Sequence, residues 1–199
     1  FVGASESGLI PEVYEGFSAT TGLAEDKNSL NLQRKLQESS DYVNYKKICR
    51  PFGENVGMSL GESAQFIVLM DENLAIELGC NIYGATLSSH VNADGFKKSI
   101  SGPGIGNYIT VGKTLNEISN SFGEDGLNSM FVHAHGTGTP QNRVTESHIL
   151  SELCSVFNIS NLPVTGIKSY LGHSLAAAGG DQVISSIGTF NDKYIPGIK

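Results

Sequence analysis

The chain has no tryptophan, and only three cysteines, three methionines and six prolines. The cysteines, Cys49, Cys80 and Cys154, are odd in number, far apart and without a CxxC spacing. That excludes a disulfide framework or a cysteine zinc site and fits a reducing, cytoplasmic setting. Each sits in a core-like or helical context and reads as a buried free thiol rather than a nucleophile. Basic residues are also few: 13 Lys and Arg stand against 20 Asp and Glu, and they are scattered. Nucleic acid is therefore not expected as a partner, because neutralising phosphates needs clustered cations. No stretch reaches the roughly 18 continuous apolar residues of a membrane-crossing helix, so no membrane partner is expected either. The opening "FVGASES" has no initiator methionine and reads as the middle of a protein.

What the chain has in excess is glycine, at 24 of 199 positions, well above the usual share of about 7%. Many tight turns and close backbone approaches follow, rather than a helical bundle. Four β-rich runs stand out: "FVGA", "QFIVLM" (65–70), "NIYGATL" (81–87) and "SMFVHAH" (129–135), with a weaker fifth, "LPVTGI" (162–167). Between the last two, residues 144–157 predict a helix with Ile149, Leu150, Leu153, Val156 and Phe157 on one face, and Glu146 favoured by the dipole near its start. A second helix is expected over about 175–190 with Val183, Ile184, Ile187 and Phe190 inward, and another over 108–121. Strand, turn, helix, strand, turn, helix after residue 128 reads as α/β with a buried parallel sheet. The polar run from Glu25 to Lys47 reads as an exposed, partly helical excursion.

Two segments share a design in which a strand ends, glycine follows and histidine sits at the turn: 135–140 and 168–173. Active sites of parallel α/β sheets gather at the carboxyl ends of strands, so both turns should open on one edge and bring His135, His173 and Lys168 together. Two neutral imidazoles converging on one point supply N–H donors for an oxyanion or enolate. A nearby ammonium would keep them neutral or bind a carboxylate. The same pattern also suits histidines that are only hydrogen-bonded parts of a turn. His133, two residues before His135, makes an HxH metal pair conceivable, with His148 as the third ligand, but the weight of the pattern is against metal. "SGPGIGN" (101–107) is not GxGxxG, because Asn107 holds the last glycine position, so a dinucleotide site is not expected.

"AHGTGTP" (134–140) and "GIKSYLGHSLAAAGG" (166–180) resemble the two histidine motifs of the β-ketoacyl synthases, the condensing enzymes of fatty-acid and polyketide synthesis, in the family's order and spacing. "RPFGENVGMSLGESA" (50–64) resembles the family's Arg-Pro-Phe segment and the turn after it, and "FVGASES" the strand after the nucleophile helix. The likeness covers nearly the whole chain and is weakest over 22–48 and 88–128. It implies an incomplete thiolase-like fold, layered α-β-α-β-α, with the nucleophile half and the final strands absent. Residues 1–79 would then end the N-terminal half, with the excursion at about 22–48, and 80–199 would form the C-terminal half. It implies an acyltransferase that performs decarboxylative Claisen condensation of malonyl-carrier-protein with an acyl thioester.

By the same resemblance, His135 and His173 stabilise the malonyl enolate and Lys168 orders them, while Thr137 and Thr139 contact the phosphopantetheine arm. No separate cofactor is implied, because the substrate carries the phosphopantetheine. The implied partners are acyl carrier protein or acyl-CoA thioesters and a second copy of the chain. Lys46, Lys47 and Arg50, or Lys97 and Lys98, are candidates to receive an acidic carrier protein, although a solvated charged face is the better explanation of each. None of the three cysteines stands in the nucleophile's motif. Asn142-Arg143 replaces the Gly-Asp of many relatives, and Gln182, with Asp181 beside it, replaces a glutamate that pairs with the lysine in some. Two alternatives remain open: a non-elongating partner subunit of the chain-length-factor type, and a thiolase-type acyltransferase.

Overall fold

The computed structural model describes residues 1–38, 41–95 and 104–198. The opening strand β1 (Val2–Glu6) pairs antiparallel with β2 (Ser63–Ile67), Ala4 opposite Gln65. Between them lie α1 (Pro11–Ala19), whose proline at the first turn has no N–H to leave unpaired, and α2 (Asp26–Lys35). A short helix α3 (Glu72–Glu77) follows β2, its first amides capped by the Asp71 carboxylate. The long helix α4 (Ile105–Asn128) is broken at Gly123, where φ is 63°.

The second half carries the β/α unit that the sequence predicts. Strand β3 (Val132–His133) leads through the glycine turn into α5 (Pro140–Val156), and β4 (Val164–Thr165) pairs parallel to β3, Val132 opposite Val164. From β4 the chain enters the single turn α6 (Lys168–Leu171), a 3-10 turn at Leu175–Ala177, and α7 (Ala178–Asp192). Helix α5 starts cleanly because Thr139 accepts the Asn142 amide at 3.3 Å and Pro140 occupies the first position.

Two apolar clusters hold these elements. Leu115 and Leu127 of α4 pack on Ile149 and Leu153 of α5, with Ile159 closing the end. Burying each such side chain contributes about 1.5–3 kcal/mol. The second cluster, Leu23, Met58 and Leu60, receives Val13 and Phe17 from α1 and Leu175 from the turn before α7. It seats α1 beneath the second histidine turn.

Several expectations need correction. Residues 81–87 form no strand: among the described residues no strand lies beside them to share a hydrogen-bond ladder, and Ile82, Tyr83 and Leu87 stay exposed. Helix α7 buries Ala178 and Thr189, while Val183, Ile184 and Phe190 are exposed, because its docked face is the small-residue one. Phe190 does meet Phe131, with ring centroids 5.5 Å apart. Val156 is likewise exposed, since α5 turns only Ile149 and Leu153 fully into the core. The polar excursion is less exposed than its composition implies. Ser29 and Gln33 are buried, and the Gln33 amide clamps Asn44, donating to its carbonyl at 3.0 Å and accepting its N–H at 2.8 Å. Of the thiols, Cys49 is buried, Cys154 half-buried and Cys80 exposed.

Candidate active site

The site forms where β3 and β4 end side by side. The two strands deliver their following turns to one edge, and the Ala134 amide donates to the Thr165 carbonyl at 2.8 Å to hold the exits in register. A third segment clamps the second turn. The His173 amide donates to the Ser59 carbonyl at 2.7 Å, and the Gly61 amide donates to the His173 carbonyl at 3.0 Å. This approach is so close that a Cβ at Gly172, where φ is 78°, would lie 2.5 Å from the Leu60 carbonyl oxygen, and one at Gly61 2.3 Å from that of Leu171. Glycine is required at both positions for that reason.

His135 and His173, 38 residues apart in sequence (173 − 135), stand with ring centroids 5.3 Å apart in a T-shaped arrangement, planes at 84°. The Leu175 amide donates to His173 Nδ1 at 3.0 Å. A nitrogen that accepts cannot carry the proton of a neutral ring, so His173 presents Nε2–H. Leu175 itself is held in the left-handed region, φ 48°, to aim that amide. Burial, then the Lys168 charge, then His135 push His173 down to about 4. Burial and Lys168 lower His135 as well, against an opposing pull from Glu146, even though His135 keeps an exposed edge. Both rings are therefore neutral donors at neutral pH.

Lys168 is 2% exposed, and its Nζ donates to the His135 carbonyl at 2.7 Å. Burial lowers its pKa, while Glu146, Asp181 and Cys49 act to keep it charged. The predicted trio of His135, His173 and Lys168 is thus assembled in space.

Thr137 and Thr139 are 8% exposed, and their hydroxyls pair with each other at 3.0 Å. Here they brace the turn and cap α5. Beneath that turn Cys49 is buried, its thiol pushed up by desolvation, and a Cβ at Gly138 would lie 3.3 Å from its Sγ.

Two residues do more than their sequence context announced. Glu146 read as a dipole-matched helix residue. Its carboxylate in fact reaches back to accept the His135 amide at 2.6 Å, the Gly136 amide at 2.9 Å and Asn142 Nδ2 at 2.9 Å. The signal available in sequence was an acid within the first two turns of a helix that follows a glycine turn with unpaired amides. Gln182 donates to the His133 and Ala134 carbonyls at 3.0 and 2.6 Å, so it holds the end of β3.

His133 turns to α7. Ser186 gives its hydroxyl proton to the Gln182 carbonyl, so His133 Nδ1, 3.2 Å away, must be the donor to Ser186 Oγ. Among the described residues no three His, Cys, Asp or Glu side chains group as a metal site. Of the basic candidates, Arg50 is ion-paired with Glu38 and donates to the Lys47 carbonyl at 2.7 Å, and Lys47 lies 3.7 Å from Glu38. With Lys46, Phe52, Gly53 and Ile198 they line a cavity of about 640 Å³. Lys97 and Lys98, and residues 101–103 of the segment read as a loop, lie outside the described residues, while Ile105, Gly106 and Asn107 begin α4.

Comparison with known proteins identifies the family and the fold. The profile of the β-ketoacyl synthase C-terminal domain matches residues 83–198. The β-ketoacyl-[acyl-carrier-protein] synthase FabY of Pseudomonas aeruginosa is 50% identical over 199 residues, which is the whole of this chain and 31% of that protein. The 3-oxoacyl-[acyl-carrier-protein] synthase 2 of Synechocystis is 23% identical over 98% of this chain and 42% of its own length. The chain thus spans less than half the length of either of these relatives, 31% of one and 42% of the other. The crystal structure of the P. aeruginosa FabY ketosynthase superposes with a TM-score of 0.91 at 49% identity, over the whole of this chain and 30% of that one. A ketosynthase from the bacillaene synthase of Bacillus subtilis shares the fold at a TM-score of 0.75 and 24% identity, over 99% of this chain and 31% of its own. So does a type II polyketide ketosynthase in complex with its acyl-carrier protein, at 0.70 and 21%, over 94% and 41%.

Proposed function

Since the chain belongs to the β-ketoacyl synthase family, with the thiolase-like fold of its ketosynthase relatives, we propose that it is the part of a β-ketoacyl-carrier-protein synthase that activates the malonyl thioester. The observation that carries this is the pairing of His135 with a His173 whose Nδ1 is occupied, so that a neutral Nε2–H is free to donate.

The chemistry follows from that pair. A malonyl thioester places its carbonyl oxygen between the two imidazoles. The bond from Cα to the carboxylate breaks, carbon dioxide leaves, and the electron pair moves into the enolate, whose oxygen takes the developing charge. Two N–H donors preorganised in a partly desolvated site stabilise that oxygen far better than water does. The enolate Cα then bonds to the carbonyl carbon of an acyl thioester, whose thiolate departs. Lys168, anchored on the His135 carbonyl, holds the first histidine turn and keeps both rings uncharged, so that they donate without carrying a proton to be lost. The acyl-bearing cysteine is assigned to none of Cys49, Cys80 and Cys154, for burial keeps Cys49 and Cys154 protonated and Cys80 lies outside these turns.

Thr137 and Thr139 would turn their hydroxyls from one another to the phosphopantetheine arm, which arrives with the substrate as its only prosthetic group. Lys46 and the half-neutralised Lys47 and Arg50 would meet an acidic carrier protein. A boundary between the two thiolase-like halves falls near residue 80, and a second copy of the parent completes the family's dimer. No described helix is long and apolar enough to cross a membrane.

The test is malonyl-thioester decarboxylation by the full-length protein. His135→Ala and His173→Ala should each slow it by about a hundred- to a thousand-fold. Unchanged rates in both variants would remove the pair from the reaction.

A further inference from the structure

Behind the histidine pair, on its β2 side, lies a polar cluster that the reaction above does not use. Gln65, in the middle of β2, is 7% exposed and faces α7. Its Nε2 donates to Asp181 Oδ1 at 2.6 Å, to the Ala177 carbonyl at 2.7 Å and to Ser63 Oγ at 3.1 Å. The helix comes so near that a Cβ at Gly180 would sit 2.6 Å from Gln65 Cγ. Gln65 Oε1 has no partner among the described residues. A strand–helix contact built for stability alone would use an aliphatic side chain here, since a buried amide with an orphaned carbonyl is the less stable choice.

Asp181 collects this cluster. Oδ1 accepts Gln65 and, at 2.8 Å, the Ser63 hydroxyl, while Oδ2 accepts the hydroxyl of Ser174 in a short hydrogen bond. Ser174, 2% exposed, is the link between His173 and Leu175, the residue in the left-handed region whose amide fixes the His173 tautomer. A continuous path therefore runs from the Asp181 carboxylate through Ser174 and the Leu175 N–H to the His173 ring. Gln182, the next residue, is neutral and occupied by the His133 and Ala134 carbonyls. The groups that act on Lys168 are Glu146 of α5, Asp181 of α7 and the Cys49 thiol, and Lys168 acts in turn on His133, His135 and His173. Only Glu146 and Asp181 among them are carboxylates.

We propose that Asp181 is a positioning residue of the histidine pair: it anchors the His173 turn through Ser174 and ties that turn to Ser63 and Gln65 of β2. This rests on the reading of the pair as the site of malonyl activation.

Two variants of the full-length protein test the anchor from its two ends. Both oxygens of the Asp181 carboxylate accept from donors, so Asp181→Asn turns an amide N–H toward one of them and loosens the turn. It should slow malonyl-thioester decarboxylation about tenfold in kcat with KM little changed, as loss of a charge-assisted hydrogen bond does. A parental kcat would overturn the anchoring role. Ser174→Ala keeps the carboxylate and frees the turn from it. It should slow the reaction and shift the imidazole nitrogen resonances of His173 from a pure Nε2–H tautomer toward a mixture. Parental rate and resonances together would overturn the anchoring role. A parent protein with no decarboxylation would instead sink the proposed function, and the resonances would still test the anchor.

Discussion

At the scale of single residues the site is an exercise in keeping histidine uncharged. An unfolded histidine takes a proton near 6.5, whereas His173 resists it down to about 4 because burial, Lys168 and His135 all oppose the charge. Folding energy is therefore complete above pH 6.5 and is lost as pH falls from there toward 4, where the folded ring also protonates. Proton-detected titration of the His173 ring should place its midpoint near 4, and urea melts should show stability declining over that window. A midpoint near 6.5 would mean that the ring is solvated. Glu146 works from the other side, through two backbone amides and the charge it presents to Lys168. Glu146→Gln keeps one acceptor oxygen but turns an amide group toward N–H donors, so a stability loss of about 1–3 kcal/mol is expected in denaturant melts. Decarboxylation should fall with it, because the His135 turn is freed.

Among elements, the joint that matters is the zipper between residues 59–61 and the His173 turn. It explains why a stretch far upstream belongs to the candidate site, and why Gly61 and Gly172 flank it. Gly172→Ala should be destabilised by about 1–3 kcal/mol from its positive φ alone, with the Leu60 carbonyl clash adding to that. Thermal melting checks it, and a neutral variant would show the zipper to be loose. The α4–α5 contact supports the first turn instead. Leu153, 2% exposed at its centre, should lose about 2–5 kcal/mol on change to Ala. The sequence pattern located α5 and its inward Ile149 and Leu153 correctly, because a 3.6-residue period depends only on the helix itself. For α7 the same periodicity chose Val183, Ile184, Ile187 and Phe190, and of these Ile187 is half-buried while the other three are exposed. The helix docks through Ala178, Thr189 and the bare backbone at Gly180, which lie on a face with little apolar signal.

For the whole molecule, the apolar groups left outside are as informative as the core. Val183, Ile184 and Phe190 on α7, and Leu69, Ile82, Tyr83 and Leu87 beyond β2, are all exposed. Apolar area on that scale is unusual for a lone monomer. The 199-residue chain alone should therefore associate with rising concentration in sedimentation and bind a hydrophobic dye, and a strictly monomeric, dye-silent chain would contradict it. By itself the sequence determined what depends on neighbours along the chain: the body of α5 and its inward Ile149 and Leu153, the glycine turns that allow close backbone approach, and a histidine in each of those turns, at 135 and 173. Only tertiary structure decided what depends on distance through space. It set the T-shaped meeting of two rings, the amide that selects the His173 tautomer, the return of Glu146 to the His135 turn, and the face by which α7 docks. Local chemistry is written in spacing, whereas a 5.3 Å contact across 38 residues exists only once β3 and β4 lie parallel and the segment at residues 59–61 closes on the second turn.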